Sequence, residues 1–294
     1  MNDENKWTRT CSKCGKTLKY KSRSAWALAT KKGGLCKSCA IRARENYCAD
    51  LSVLLDDTPE TFYWIGFLLA DGCFGDNRIR LSLSIKDKEH VLRFGNFIKY
   101  NGTYTETDIK FGLACKNITI VEQICKKFDI NQAKTYNPPE TIMNFDENLR
   151  YALLAGFIDG DGNIQRQNKR ADFLLRIKNH ASWLNILKEF GRMITDKECV
   201  KLNGSGYAEL NITNTVKLQE LKRRVMSLNL PLMSRKWDVI DLNFVSKYTT
   251  AEILRNKVLE LHKQGYKNID ICRLCNTSPA NVSKIIKKYY NNDN

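Results

Sequence analysis

Histidine is scarce in this chain. Three occur among 294 residues, His90, His180 and His262, and their scatter gives little support to catalysis built on histidine. Long apolar runs are missing too: none reaches the ~18 residues that a membrane span requires. The N-terminus, MNDENKWTRT, lacks a signal-peptide pattern. Acidic residues are in deficit, 32 against 48 basic ones, for a net charge of +16. A protein this basic is expected to meet a polyanion, with nucleic acid as the leading candidate. The cysteines, 11 in all, leave one unpaired in any disulfide scheme, which argues against a disulfide framework. The expected setting is therefore the cytoplasm of a bacterial or phage-infected cell, with the protein on DNA.

What is present is enough for folded domains. The hydrophobic fraction is 43%, and the length admits one large domain or two to three small ones. Charge is uneven. Residues 1–50 carry 12 basic and 4 acidic side chains, residues 246–294 carry 9 and 4, and the middle carries 27 and 24. The ends read as nucleic-acid grips and the middle as core and catalysis. Four parts follow: 1–50, a CxxC…CxxC DNA-binding module; 51–145 and 146–245, two related subdomains; and 246–294, a helical DNA-binding module.

In the first part, Cys11 and Cys14 are followed after 21 residues by Cys36 and Cys39. Thiolates two apart on a tight turn face one tetrahedral zinc, and Gly15 permits the turn. A polar module of this size buries too little core to fold alone, so Zn2+ would supply the missing free energy. Knuckle, hairpin and a second pair at a helix start resemble a treble-clef or zinc-ribbon finger. Arg9, Lys13, Lys16, Lys19, Lys21 and Arg23 surround it and favour DNA contact.

The middle contains a repeat. FYWIGFLLADGCFGDNRI (62–79) lies over YALLAGFIDGDGNIQRQN (151–168), with Asp71 and Asp161 ninety residues apart. Gly66 with Ala70, and Gly156 with Gly160, put small residues four apart on one helix face, where two helices approach closely. Packed on each other, these helices would deliver Asp71 and Asp161 side by side. A helix C-terminus repels carboxylates, and two are worse, unless a cation such as Mg2+ sits between them. Gly72 and Gly162 are then expected as C-caps. Strands follow each helix. Ile79, Leu81, Leu83 and Ile85 alternate with Arg80, Ser82, Ser84 and Lys86; Phe173, Leu175 and Ile177 alternate with Arg176 and Lys178. With KFGLACK, YAELNIT and four amphipathic helical stretches, each half reads αββαββα. The expected fold is α+β, a pseudo-twofold pair of these subdomains plus the two small modules. The polar sheet faces, with Arg78, Arg80, Ser82, Ser84, Lys86, Gln165, Gln167, Arg176 and Lys178, are expected to meet base edges in the major groove.

The two stretches WIGFLLADG (64–72) and LAGFIDGDG (154–162) resemble the motifs of LAGLIDADG homing endonucleases in their single-chain, two-motif form. The first departs at Trp64 and at Leu69, where the second has Asp159. The resemblance covers roughly residues 58–245. It implies a monomeric, site-specific double-strand DNA endonuclease with a long target, in which Asp71 and Asp161, with Ala70 and Gly160 beside them, bind magnesium. It also implies a lysine near the end of each half: Lys134 and Lys236, with Arg235 as neighbour to the latter. Such a lysine polarises the attacking water or stabilises developing phosphorane charge. The rival expectation is a non-cleaving regulator or intron RNA maturase on the same core.

The last part reads as three short helices. Ile253, Val258 and Leu261 stripe the first, Gly265 ends it, Ile269 and Ile271 open the second, and Ser278 with Pro279 starts a basic third. This is similar to a helix-turn-helix, with Asn281, Ser283, Lys284 and Lys287 toward DNA. Cys272 and Cys275 read as core thiols.

Overall fold

The computed structural model describes residues 7–39, 48–131, 133–167, 172–245 and 247–289. In chain order the elements begin with β1 (Thr8–Thr10), β2 (Thr17–Lys19) and α1 (Arg23–Lys31). The first motif helix is α2 (Pro59–Ala70), followed by β3 (Gly72–Gly75), β4 (Arg78–Ser84), α3 (Lys88–Phe97), β5 (Thr105–Glu106), β6 (Lys110–Lys116) and α4 (Ile118–Phe128). The second is α5 (Glu147–Asp161), followed by β7 (Gly162–Arg166), β8 (Phe173–His180), α6 (Leu184–Thr195), β9 (Val200–Leu202), β10 (Tyr207–Ile212), α7 (Thr215–Ser227) and α8 (Ser234–Trp237). Three helices close the chain: α9 (Lys247–Lys263), α10 (Asn268–Cys275) and α11 (Pro279–Tyr289). The fold is α+β, with the αββαββα order in each half. No described helix is long and apolar enough to cross a membrane.

The chain divides into two compact units, Met1–Asp56 with Gly72–Gln132, and Asp57–Asp71 with Ala133–Asn294. In the first unit β3-β4-β6-β5 form an antiparallel sheet. Ile79, Leu81 and Leu83 are buried on one face, where α3 packs on β4 and β6, while Arg80, Ser82 and Ser84 are exposed on the other. The strand stops earlier than its alternation predicts. Ser84 accepts from the Lys86 backbone N–H at 3.4 Å and turns residues Ile85–Asp87 into a 3-10 turn, so Lys86 lies beyond the sheet. The two-residue edge strand β5 has no periodicity to read.

The finger of this unit differs in layout from its sequence reading. The first CxxC closes the β1–β2 hairpin, with Gly15 at φ 72°, and α1 intervenes before the second pair. Ser22 caps α1, accepting from the Ala25 N–H at 3.3 Å. Residues 37–39 are helical, and the rest of the helix expected there lies outside the described residues.

In the second unit β7-β8-β10-β9 form the matching sheet, with α6 on β9 and β10 and α7 on β8. Its centre is the α2–α5 pair. Phe62 through Leu69 are all buried, and seven of these eight are large side chains worth about 2 kcal/mol each in removed apolar surface, as an upper estimate. Thr58 caps α2, and Pro59 occupies its first turn. Backbone touches backbone at the crossing. A Cβ added at Gly66 would lie 2.0 Å from the Leu153 carbonyl oxygen, one at Gly156 1.8 Å from that of Tyr63, and one at Gly160 2.3 Å from Ala70 Cβ. Only hydrogen at these three positions permits the approach.

The last three helices enclose their own small core of Val258, Ile271, Cys272, Val282 and Ile285, with Leu261 and Cys275 packed against it. Ile253 is 58% exposed and leaves the stripe assigned to it, while Ile269, in the first turn of α10, is 53% exposed. Gly265 ends α9 at φ 84°.

Candidate active site at the paired helix ends

Both motif helices run straight into a strand. Asp71 is the C-cap of α2 in a right-handed conformation, and Asp161 is the last residue of α5. Of the two expected glycine caps, Gly162 is the C-cap of α5, whereas Gly72 gives way to Asp71 on α2. Gly72 is the first residue of β3, and Gly162 has extended dihedrals, φ −76° and ψ 147°. Gly162 is needed for space instead, because a Cβ there would lie 2.5 Å from the Ile158 carbonyl oxygen.

The acids sense each other. The Asp161 carboxyl is pushed up to about 6, first by thinned hydration in its concave surroundings and then by the charge of Asp71, against the pull of Lys134 and Lys236. Although Asp161 is exposed, its Oδ2 accepts from Asn179 Nδ2 at 3.1 Å.

Each lysine sits on the C-terminal carbonyls of one motif helix. Lys134 Nζ donates to the carbonyls of Leu69 and, at 3.3 Å, Ala70. Lys236 Nζ is enclosed by those of Ile158, Asp159, Gly160 and Gly162, at 2.9, 2.6, 2.9 and 2.7 Å. These ammoniums oppose the negative helix ends that would otherwise repel the acids. Burial holds Lys236 below the ordinary lysine range, against the charge of Asp159. Its ammonium lies inside a cage of carbonyls at the end of α5. Ala70 and Gly160, named as carbonyl ligands, each already accept one ammonium and keep a second lone pair.

Asp159, buried to 1%, was legible only as part of the motif. Its carboxylate accepts from Tyr63 Oη at 2.7 Å, Met233 N at 2.9 Å and Trp237 Nε1 at 2.8 Å. It therefore ties α2 and α5 to the segment that carries Lys236. Trp183 Nε1 donates to the Lys134 carbonyl at 3.1 Å and anchors the other lysine's segment. Asn179 continues the inward parity of Phe173, Leu175 and Ile177; a polar residue on that parity at a strand end was the signal available in sequence.

The donor set suits a hard divalent cation: two carboxylates and helix-end carbonyls, all oxygen. In the finger the four sulfur atoms of Cys11, Cys14, Cys36 and Cys39 lie within 4.8 Å of one another. The Cys36 N–H donates to Cys11 Sγ at 3.3 Å and lowers that thiol to about 6, while hydrogen bonds with the Cys14 and Cys36 sulfurs push Cys39 up to about 12. Four thiolates this close repel each other, and a soft cation such as zinc among them removes the conflict.

The remaining candidates are distributed. On β4 Arg80 lies 3.9 Å from Asp76, and Arg78 is half-buried with Nε unpartnered among the described residues. On the other sheet Gln165 is exposed and Gln167 follows the strand. Arg176 is held by Glu209 at 3.0 Å and Asn211 at 3.1 Å, and Lys178 Nζ stands 4.5 Å over the Tyr207 ring. In α11 Lys284 and Lys287 are exposed, whereas Asn281 is half-buried and its amide donates to Thr277 Oγ1 at 2.9 Å. Ser278 caps that helix at 3.2 Å.

No protein-family model and no curated protein matches the sequence. Among solved structures the fold is similar to the LAGLIDADG homing endonuclease I-GzeII in complex with its DNA target, at 13% identity and a TM-score of 0.46, over 75% of this chain and 97% of that one. It is also similar to I-SmaMI bound to cleaved DNA (12%, TM-score 0.44, 69% and 91%) and to I-LtrWI bound to target DNA (13%, TM-score 0.40, 77% and 95%). These belong to the family that the two sequence motifs resemble. At these scores the likeness adds no argument about what this chain does.

Proposed function

We propose that the chain is a site-specific double-strand DNA endonuclease of the LAGLIDADG homing type. It hydrolyses one phosphodiester on each strand with Mg2+ held by Asp71 and Asp161 and the carbonyls of Ala70 and Gly160. The observation that carries this reading is the glycine crossing of α2 and α5, which ends on two acids close enough for one to raise the other's pKa. A protein that only binds DNA gains nothing from such a repulsive pair.

Bound Mg2+ would supply Lewis-acid polarisation of the phosphoryl group. The chain's own residues supply the rest. Asn179 fixes the orientation of Asp161. Lys134 and Lys236 hold positive charge behind the acids, where it offsets charge developing on the phosphate. The outer sheet residues read the duplex, with Arg78, Arg80, Ser82 and Ser84 in one half and Gln165, Arg176 and Lys178 in the other, joined by Lys86 and Gln167 just past the strand ends. The finger, with Zn2+ on its four cysteines, and the helix-turn-helix, through Asn281, Lys284 and Lys287, lengthen the footprint and add affinity by linkage. Both halves lie in one chain, so a monomer suffices.

The test is cleavage of a randomised or genomic duplex library with magnesium or calcium, for wild type, Asp71→Asn and Asp161→Asn. Discrete double-strand cuts with magnesium, lost in both variants, are expected. Tight binding without cutting in any protein would replace this reading with the regulator or maturase.

A further inference from the structure

Asp161, Lys134, Leu69 and Ala70 form one side of a concave pocket of about 330 Å³ in the second unit, and the proposed chemistry leaves its other side unused. Its wall includes Tyr136, Lys178, Asn179, His180 and Tyr207. Single exposed aromatics are ordinary on protein surfaces, but here Tyr136, His180 and Tyr207 share one concavity with the buried Trp183. Tyr136 is 65% exposed and Tyr207 41%. Neither hydroxyl has a hydrogen-bond partner among the described residues.

The wall is held in place from behind. Tyr136 meets His180 edge to face, with centroids 4.9 Å apart. His180 Nδ1 is engaged by Ser182, 3.0 Å from Oγ and 3.3 Å from N, which leaves Nε2 as the nitrogen free to meet a ligand. Ser182 Oγ in turn donates to the Thr135 carbonyl at 2.8 Å and pins the segment that carries Tyr136. Lys178 has no ion pair among the described residues, and its ammonium rests on the Tyr207 face.

An ammonium, an imidazole edge and two phenols answer a phosphate with a ring system attached. We propose that this pocket is a nucleotide seat. It takes one nucleotide of a DNA strand, the phosphate against Lys178 and His180 and the sugar and base against the rings of Tyr136 and Tyr207. Such stacking takes the nucleotide out of the duplex stack and is sequence-tolerant, since every base offers a π-face. The seat belongs to one half only. The β8 register equates Lys178, Asn179 and His180 with Ser82, Leu83 and Ser84 of β4, and Tyr207 with Lys110, so the first sheet has no ring at these positions. The inference rests on the DNA-binding part of the proposed function and not on cutting.

The experiment uses the full chain with calcium and a randomised duplex library in which 5-iododeoxyuridine replaces thymidine. After irradiation, adducts are located by peptide mass spectrometry. Adducts on Tyr136, Tyr207 or His180 are expected, and the Tyr136→Ala/Tyr207→Ala double variant, unchanged in far-ultraviolet circular dichroism, should bind the library at least roughly fivefold more weakly. Adducts confined to the finger, the outer sheet faces and α11, or wild-type binding by the double variant, overturn the seat. Cutting with magnesium is measured in parallel. Adducts in the pocket without any cut remove the endonuclease reading and keep the seat; cuts without pocket adducts do the reverse.

Discussion

Tyr63 on α2 donates its hydroxyl hydrogen to Asp159 on α5 at 2.7 Å, and the same carboxylate receives the indole N–H of Trp237 and the backbone N–H of Met233. Three donors converge on one buried anion. An amide at this position turns its NH2 toward donors and loses at least one of the three bonds. Asp159→Asn should therefore destabilise the protein by about 2–4 kcal/mol, read as a lower urea midpoint at unchanged slope. A variant as stable as wild type would show that these bonds contribute nothing net.

Gly156 gives a sharper test of the crossing. Alanine is the better helix former by roughly 1 kcal/mol, so propensity alone predicts stabilisation. The added methyl, however, would lie 1.8 Å from the Tyr63 carbonyl oxygen, backbone that cannot step aside. Gly156→Ala should cost about 3 kcal/mol or more, at the upper end of overpacking. Because it also spreads the helix ends, it should lower cleavage more than DNA binding. Gly204, which has open space at its Cβ and no left-handed φ, is the control and should tolerate alanine within roughly 0.5 kcal/mol.

These glycines also mark how far sequence reasoning reached. The spacing of Gly66 with Ala70 and of Gly156 with Gly160 foretold a close helix crossing, because local periodicity fixes which side chains share a face. The strands were legible for the same reason: the alternation of Ile79, Leu81 and Leu83 survives in the sheet. What stayed hidden depends on contacts distant in sequence. Asp159 meets Met233 across 74 residues, and Lys236 meets Gly162 across an equal span. Periodicity carries no information about such pairs. The same holds for Tyr136 beside His180, and for α1, none of whose nine residues is fully buried and whose Trp26 meets Trp7 nineteen residues earlier in the chain.

Lys236 and Lys134 occupy the same place on the two motif helices but not to the same degree. Lys236 is 7% exposed and its ammonium is shared among four carbonyls, whereas Lys134 is half-buried and spans two. Lys236→Met leaves a cluster of helix-end carbonyls without their counter-charge and should cost roughly 3–5 kcal/mol. Lys134→Met should cost less, about 1–2 kcal/mol. Thermal or urea unfolding of the two variants measures the difference, and equal losses would contradict the unequal enclosure.

The finger makes the last prediction. Its sulfur cluster buries Cys11, Cys36 and Cys39 and, among the described residues, has Leu18 and Leu35 packed beside it, a small apolar core. A metal on the four sulfurs would add the stability that so small a core does not provide. A chelator strong enough to strip Zn2+ should unfold the finger while the α2–α5 core, which shares none of these ligands, keeps its own melting transition. The expected record is loss of one equivalent of zinc and appearance of four reactive thiols from Cys11, Cys14, Cys36 and Cys39, with weaker DNA binding and a smaller salt dependence, since the basic residues of the finger no longer reach phosphates together. Mass spectrometry of the native chain and thiol titration before and after chelation decide it. Cys11, Cys14, Cys36 and Cys39 themselves already reactive in the native protein would mean that no metal holds them.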